Sequence, residues 1–304
     1  MKIEYGTQDH RIDVTTICYD MLHVNNLITI PQHDYTRAQY FTDPLFGVLK
    51  SICITHEDQT YVYDHTQNVY INLSSNLITT SLPDYILLDR EESNKKLSII
   101  HSQLRIHYGS LQEEIHEQRM VARYLTGTEK VLELGGNIGR NSLVIASILR
   151  DNPNFVVLEC NTDIVAQLTE NRDLNHFHFF IEPSALSKRP LIQKGWDTIV
   201  SDTVLDGYTP VSSITYHDLV LKYNIDFDTL VVDCEGALYY ILQDMPEMLD
   251  HICLIIMEND YYDITHKKYI DKILREKNFL VDYVESGGWA PCYANFFEVW
   301  KKSQ

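Results

Sequence analysis

The sequence predicts an α/β protein: a doubly wound sheet preceded by a small, mostly-β N-terminal module. Three observations carry this reading. At Val131–Ser142 the chain reads VLELGGNIGRNS, a short apolar strand that runs into three close glycines and then into residues able to form a helix. Beyond it, apolar strand-like runs alternate with helix-like runs up to the C-terminus, the pattern of right-handed crossovers in a parallel sheet. Before about residue 90 no long helical period occurs, and short strand-like runs broken by turns take its place.

The bulk numbers bound the answer. With 304 residues, 44% of them hydrophobic, the chain can bury one large or two medium cores. It contains no run of about 18 apolar residues, and its start, MKIEYGTQDHRID, is polar, so a soluble, cytoplasmic (intracellular) protein without a membrane span is expected. The six cysteines are scattered without a C-x-x-C pair, which argues against a disulfide framework or a zinc site. The net charge of -18, from 43 acids against 25 basic residues, makes free nucleic acid a poor partner, because neutralising phosphates supplies most of that affinity. Oligomeric state is left open.

The elements follow in order. LITI, GVLKSICI, QTYVYD and NVYINL read as the strands of the module, residues 1–90, for which an accessory or interaction role is expected. SLPDYILLDREESN, 81–94, mixes a proline with charges and is the candidate boundary to a second domain, 91–304. There, Gly109 makes a turn and Ile115, Met120, Val121 and Leu125 recur at near-helical spacing. The strands KVLEL, FVVLE and HFFIE follow, separated by helices at 140–150 and 162–174. A long irregular insert, 187–228, leads to TLVVD, a helix at 236–245, ICLIIME, a helix at 265–277, and a closing antiparallel pair, FLVDYV and NFFEVW.

The glycine turn narrows the ligand. A dinucleotide site reads G-x-G-x-x-G, with glycines that admit a pyrophosphate; here the spacing is acid-x-G-G-x-x-G, from Glu133 through Gly135, Gly136, Asn137 and Gly139. S-adenosylmethionine carries no phosphate. An acid such as Glu133 suits its ammonium, and Glu159, closing the next strand, suits its two ribose hydroxyls. Cys160, Asn161, Ser184 and Ala185, which follow the second and third strands, complete the expected cofactor set.

VLELGGNIGRNS, then VVLEC, then DTLVVDCEGALYYILQ, in this order, resemble the FkbM-type methyltransferases over about residues 105–300. YGSLQEEIHEQ resembles that family's lead-in to its first strand. The resemblance implies a class I, Rossmann-like methyltransferase fold with a seven-stranded sheet, an Asp-x-Glu-Gly hallmark matched by Asp233, Glu235 and Gly236, and transfer of methyl from S-adenosylmethionine to a hydroxyl of a saccharide, glycan, glycolipid or polyketide-like metabolite. Two departures stand out: Leu238 occupies a position where the family usually has an acid, and its Leu-Asp pair is matched only by Asp218 of YHDLV.

Methyl transfer requires alignment of acceptor oxygen, methyl and sulfur, and loss of a hydroxyl proton. Asp233, Glu235 and Glu258, at the ends of TLVVD and ICLIIME, are the expected catalytic acids. They would act as general base or, with Asn259, hold a divalent metal such as Mg²⁺ that lowers the hydroxyl pKa; the catechol-type O-methyltransferases resemble the metal version. A helix cap is the structural alternative for Asp233. His176 and His178 lack a third ligand near in sequence and read as surface residues. Trp196, Tyr208, Trp289 and Tyr293 are suited to stacking on a sugar face. A non-catalytic glycan-binding protein on the same fold, and a nicotinamide-dependent oxidoreductase opposed by the glycine spacing, are the competing readings.

Overall fold

A computed structural model describes the chain except for Trp196, Ala290 and Gln304 and the side chain of Asp197. Seven strands form the central sheet: β1 Val131–Leu134, β2 Phe155–Leu158, β3 Phe180–Glu182, β4 Thr229–Val232, β5 Leu254–Glu258, β6 Phe279–Glu285 and β7 Phe297–Lys302. Their order is β3-β2-β1-β4-β5-β7-β6. The first five strands run parallel, while β7 lies antiparallel between β5 and β6. This is a mixed, Rossmann-like sheet.

Local sequence explains the register. VLEL, FVVL and TLVV are buried along their whole length, as strands covered on both faces must be. Val131 pairs with Phe155 on one side and Thr229 on the other, so the ends of β1, β2 and β4 lie level. Around the sheet stand α1 Asp84–Gln103, α2 Ile115–Tyr124, α3 Arg140–Ile148, α4 Thr162–Leu174, α5 Tyr216–Tyr223, α6 Leu238–Asp244 and α7 Ile264–Glu276. Among the described residues no helix is long and apolar enough to cross a membrane.

Several expectations are corrected here. The stretch at the candidate boundary is not irregular, since most of it belongs to α1, a 20-residue helix with only Ser93 and Leu97 buried. The N-terminal region is mostly β, but it also carries helices at Thr15–Met21 and Asp34–Phe41, too short to show a helical period. Its strands make two four-stranded antiparallel sheets. The insert is not irregular: Leu191–Lys194, Asp197–Val200 and Thr209–Val211 pair into a small sheet.

The N-terminal region packs against the far end of the chain. Ala294 belongs to the buried cluster of Ile3, Tyr5, Phe41 and Ile52. Tyr40 Oη donates to Asn295 Oδ1 at 2.7 Å in the interior.

Candidate functional site

A cleft of about 1150 Å³ opens at the carboxyl ends of β1, β2, β4 and β5, the edge where ligands bind in open parallel sheets. The glycine turn forms its floor. The N–H groups of Gly135 and Gly136 donate to Leu158 O at 3.1 and 2.9 Å, which pins the turn to β2. Gly135 has φ +86°, and a Cβ there would stand 1.6 Å from the carbonyl oxygen of Asp233. Only glycine lets the turn after β1 lie against the end of β4. Gly136 and Gly139 do not reach the cleft; added Cβ atoms would meet Val157 and Leu168, so their smallness serves packing beneath the turn.

Glu159 lies on the cleft wall as expected, half-buried, with its carboxylate fixed by two backbone N–H groups: Asn161 donates to Oε1 at 2.8 Å and Asn137 to Oε2 at 3.0 Å. Burial pushes its pKa up, against those bonds. Each oxygen keeps a free lone pair for a ligand hydroxyl. Asn137, Cys160, Asn161, Ser184 and Ala185 line the same cleft. Ser184 is set in place by Glu182, whose carboxylate also takes bonds from Lys222 at 2.6 Å and Tyr223 at 2.8 Å.

Glu133 departs from expectation. Its side chain leaves the sheet beneath the turn, 2% exposed, and accepts from Ser142 Oγ at 2.5 Å and Asn141 Nδ2 at 3.2 Å, both on α3. It does not line the cleft, so direct contact with a ligand's ammonium is replaced by anchoring of α3 to β1. Burial raises its pKa to about 8.

On the other side of the glycine turn the cleft is acidic. Asp233, exposed Glu235 and half-buried Glu258 line it, as the sequence led us to expect, and Glu114 and Glu117 reach it from α2 and its cap. Oxygens of Glu117, Asp233 and Glu258 lie within 4.8 Å of one another. Burial, then the carboxyl of Glu117 and the charge of Asp233, push Glu258 up to about 11; burial and the surrounding acids also hold Asp233 far above the usual carboxylate range. Asp233 is not a helix cap, because α6 begins five residues later with Ala237 at its N-cap. Asp260 serves that turn instead: its Oδ1 accepts from Gly236 N at 2.7 Å, and burial with the charge of Glu235 raises its pKa to about 7.

Glu117 and Asp260 were missed from sequence. Glu117 precedes the buried Met120 and Val121 by three and four positions, which places an acid on the apolar face of α2, and this was the available signal. Asp218 lies in the first turn of α5, where its N–H donates to Oγ1 of the N-cap Thr215 and its carboxylate accepts from the same hydroxyl. Leu238 is buried in the core.

The aromatic expectation fares less well. Tyr208, Trp289 and Tyr293 do not line the cleft, and Trp196 lies outside the described residues. Tyr240, Phe296 and Phe297 do line it, with His116 stacked on Phe297 at 4.5 Å. His176 is exposed in a left-handed turn before β3, so it and His178 share no strand face. Asn259 is buried with Nδ2 donated to Asn295 O at 2.7 Å and does not reach the cleft.

No family model and no curated protein matches the chain. Among solved structures it is similar to a ribosomal protein L11 methylase from Lactobacillus delbrueckii subsp. bulgaricus, at 13% identity and TM-score 0.42, over 65% of this chain and 82% of that one. It is also similar to an O-methyltransferase from Bacillus cereus in complex with SAH, at 14% identity and TM-score 0.41, over 70% and 90%. An rRNA methylase from Streptococcus thermophilus matches at 10% identity and TM-score 0.40, over 65% and 99%. The fold assignment itself rests on the strand order and the glycine turn.

Proposed function

We propose that the chain is an S-adenosylmethionine-dependent O-methyltransferase of the FkbM type, acting on a hydroxyl of a saccharide, glycan or related metabolite. One observation carries the reading: a single cleft holds both a backbone-anchored carboxylate, Glu159, and a second group of acids, Asp233 and Glu258, separated by the glycine turn. The first group has the chemistry of a ribose acceptor, and the second that of a proton acceptor.

The cofactor, when bound, supplies an electrophilic methyl on a sulfonium. This chain's residues do the rest. Glu159 accepts the ribose hydroxyls, while Asn137, Asn161 and Ser184 offer polar groups around them. Gly135 keeps the turn flush with the end of β4, so acceptor and methyl can be held at short range. Asp233 or Glu258 takes the hydroxyl proton. Their raised pKa values make them strong bases once ionised, and positive charge entering the cleft favours ionisation. Tyr240, Phe296 and Phe297 offer faces for an acceptor ring. The N-terminal region serves as an accessory module that positions a partner or a second subunit.

Titration of the protein with S-adenosylmethionine and with NADH, followed by a screen of glycans, nucleotide sugars and polyols with labelled S-adenosylmethionine, tests this reading. Binding of S-adenosylmethionine with methyl incorporation into a hydroxyl is the expected result. Binding of NADH alone would overturn it.

A further inference from the structure

We propose that Glu117, Asp233 and Glu258 form a site for one divalent cation of the hard, oxygen-binding kind, Mg²⁺ or Mn²⁺, with Glu117 supplied by helix α2 rather than by a strand end. The site shares Asp233 and Glu258 with the proposed proton transfer, but cation binding is read without cofactor or acceptor, so its failure and that of the methyltransferase reading are distinguishable.

Geometry comes first. The three carboxylates reach one point from three separate elements, α2, the end of β4 and the end of β5, with one oxygen of each inside 4.8 Å of the others. Oxygens bind Mg²⁺ or Mn²⁺ at roughly 2.0–2.3 Å, so two ligands of one ion stand no more than about 4.6 Å apart. Small rotations of the carboxylates close that difference.

Charge and burial supply a second, separate observation. Among the described residues no Lys, Arg or His forms an ion pair with any of the three, although Glu114 nearby is matched by Arg140 at 2.7 Å and Glu285 by Arg119 at 2.6 Å. Glu117 is only 6% exposed, and its Oε2 has no hydrogen-bond partner. An acid on the apolar face of a helix, facing two further carboxylates with one oxygen unpartnered, lacks the cationic partner that buried carboxylates normally require. A divalent ion provides it. A single ammonium would leave more of the charge unmatched.

The donor set selects the metal. Three carboxylates with no imidazole or thiolate among them suit Mg²⁺ or Mn²⁺ better than Zn²⁺. This set also differs from the one read from sequence, because Glu235 is exposed outside the cluster and Asn259 is committed to Asn295.

The test uses the full chain, stripped with chelator and free of S-adenosylmethionine and acceptor. Titration with Mn²⁺, followed by the paramagnetic resonance of the free ion, should show one ion per chain bound below about 1 mM. Glu117→Gln and Asp233→Asn should each weaken binding about tenfold or more, whereas Glu235→Gln should change it by less than about threefold. Mn²⁺ should also raise the melting temperature of the native chain and not of Glu117→Gln; if that variant does not fold, the native melt and Asp233→Asn carry the test. Absence of binding below that concentration, undiminished affinity in the folded variants, or an equal thermal shift from methylammonium would overturn the site. S-adenosylmethionine affinity, measured separately, tests the methyltransferase reading alone.

Discussion

The backbone N–H of Asn137 donates to the carboxylate of Glu159 at 3.0 Å, so the turn after β1 and the tip of β2 are joined through a side chain that also lines the cleft. Glu159→Ala therefore removes two things together: a ligand acceptor and the fixing of the turn. Calorimetry with S-adenosylmethionine should show a loss of about 2–3 kcal/mol. Affinity equal to the native chain's would rule out Glu159 as the ribose acceptor.

Gly135→Ala tests the contact between the turn and β4. The new Cβ would stand 1.6 Å from the Asp233 carbonyl at a φ of +86°, so the two strand ends must move apart. Urea unfolding should register a loss of at least about 3 kcal/mol, with S-adenosylmethionine binding lost in parallel. A variant as stable as the native chain would show that the turn is free to move.

Glu133 makes stability depend on pH. Its carboxyl titrates at about 8 in the fold against 4.5 when exposed, so between these values the native state keeps a proton that the unfolded chain has lost. Its contribution is fully present below pH 4.5 and is lost as pH rises through about 8, with a slope of about 1.4 kcal/mol per pH unit. Glu258 and Asp260 act in the same direction. Glu133→Gln should flatten the curve by Glu133's share in urea melts across this window; an unchanged slope would mean that Glu133 is ionised in the fold.

Asp233→Asn and Glu258→Gln keep side-chain shape while removing a proton acceptor. With an acceptor in hand, loss of the base should lower turnover by roughly 100-fold or more in at least one of them, with S-adenosylmethionine affinity retained. Full turnover in both would mean that neither carboxylate takes the hydroxyl proton.

A chain cut to 83–304 should fold and bind S-adenosylmethionine, because every cleft residue lies beyond the cut. Cutting at Leu97 instead would remove most of α1, including Lys96, which bonds to Ala122 O. A soluble, folded 83–304 chain that fails to bind would tie the N-terminal region to the site.

The alternating strands and helices from Val131 onward were legible because fully apolar runs such as VLEL and TLVV have few other places to go than the middle of a covered sheet. Residues whose placement is set within a few positions, such as Gly135 in the turn and Glu159 at the tip of β2, were legible too. What escaped was set by distant neighbours. Glu133 looked like a ligand contact until Asn141 and Ser142 were seen to take both of its oxygens. Glu117 becomes part of a site only when α2 is laid beside the ends of β4 and β5. The helix α1 was not legible because so little of it is buried that polar residues fill nearly every turn.

The placing of Ala294 and Asn295 inside the N-terminal region bears on how the protein is made. Tyr40 waits for a partner 255 positions downstream, and the buried cluster of Ile3, Tyr5 and Phe41 stays incomplete without Ala294. On a ribosome adding about 5–20 residues per second, the first-made strands spend on the order of ten seconds or more without that closing piece. During that interval their unfinished core is exposed to nascent-chain chaperones and to other polypeptides. The sheet from β1 to β7, in contrast, draws its buried partners from Leu97 onward. Translation speed and chaperone supply should therefore govern the yield of the N-terminal region far more than that of the seven-stranded sheet, and slowed synthesis should leave molecules with a formed cleft beside an unpacked module.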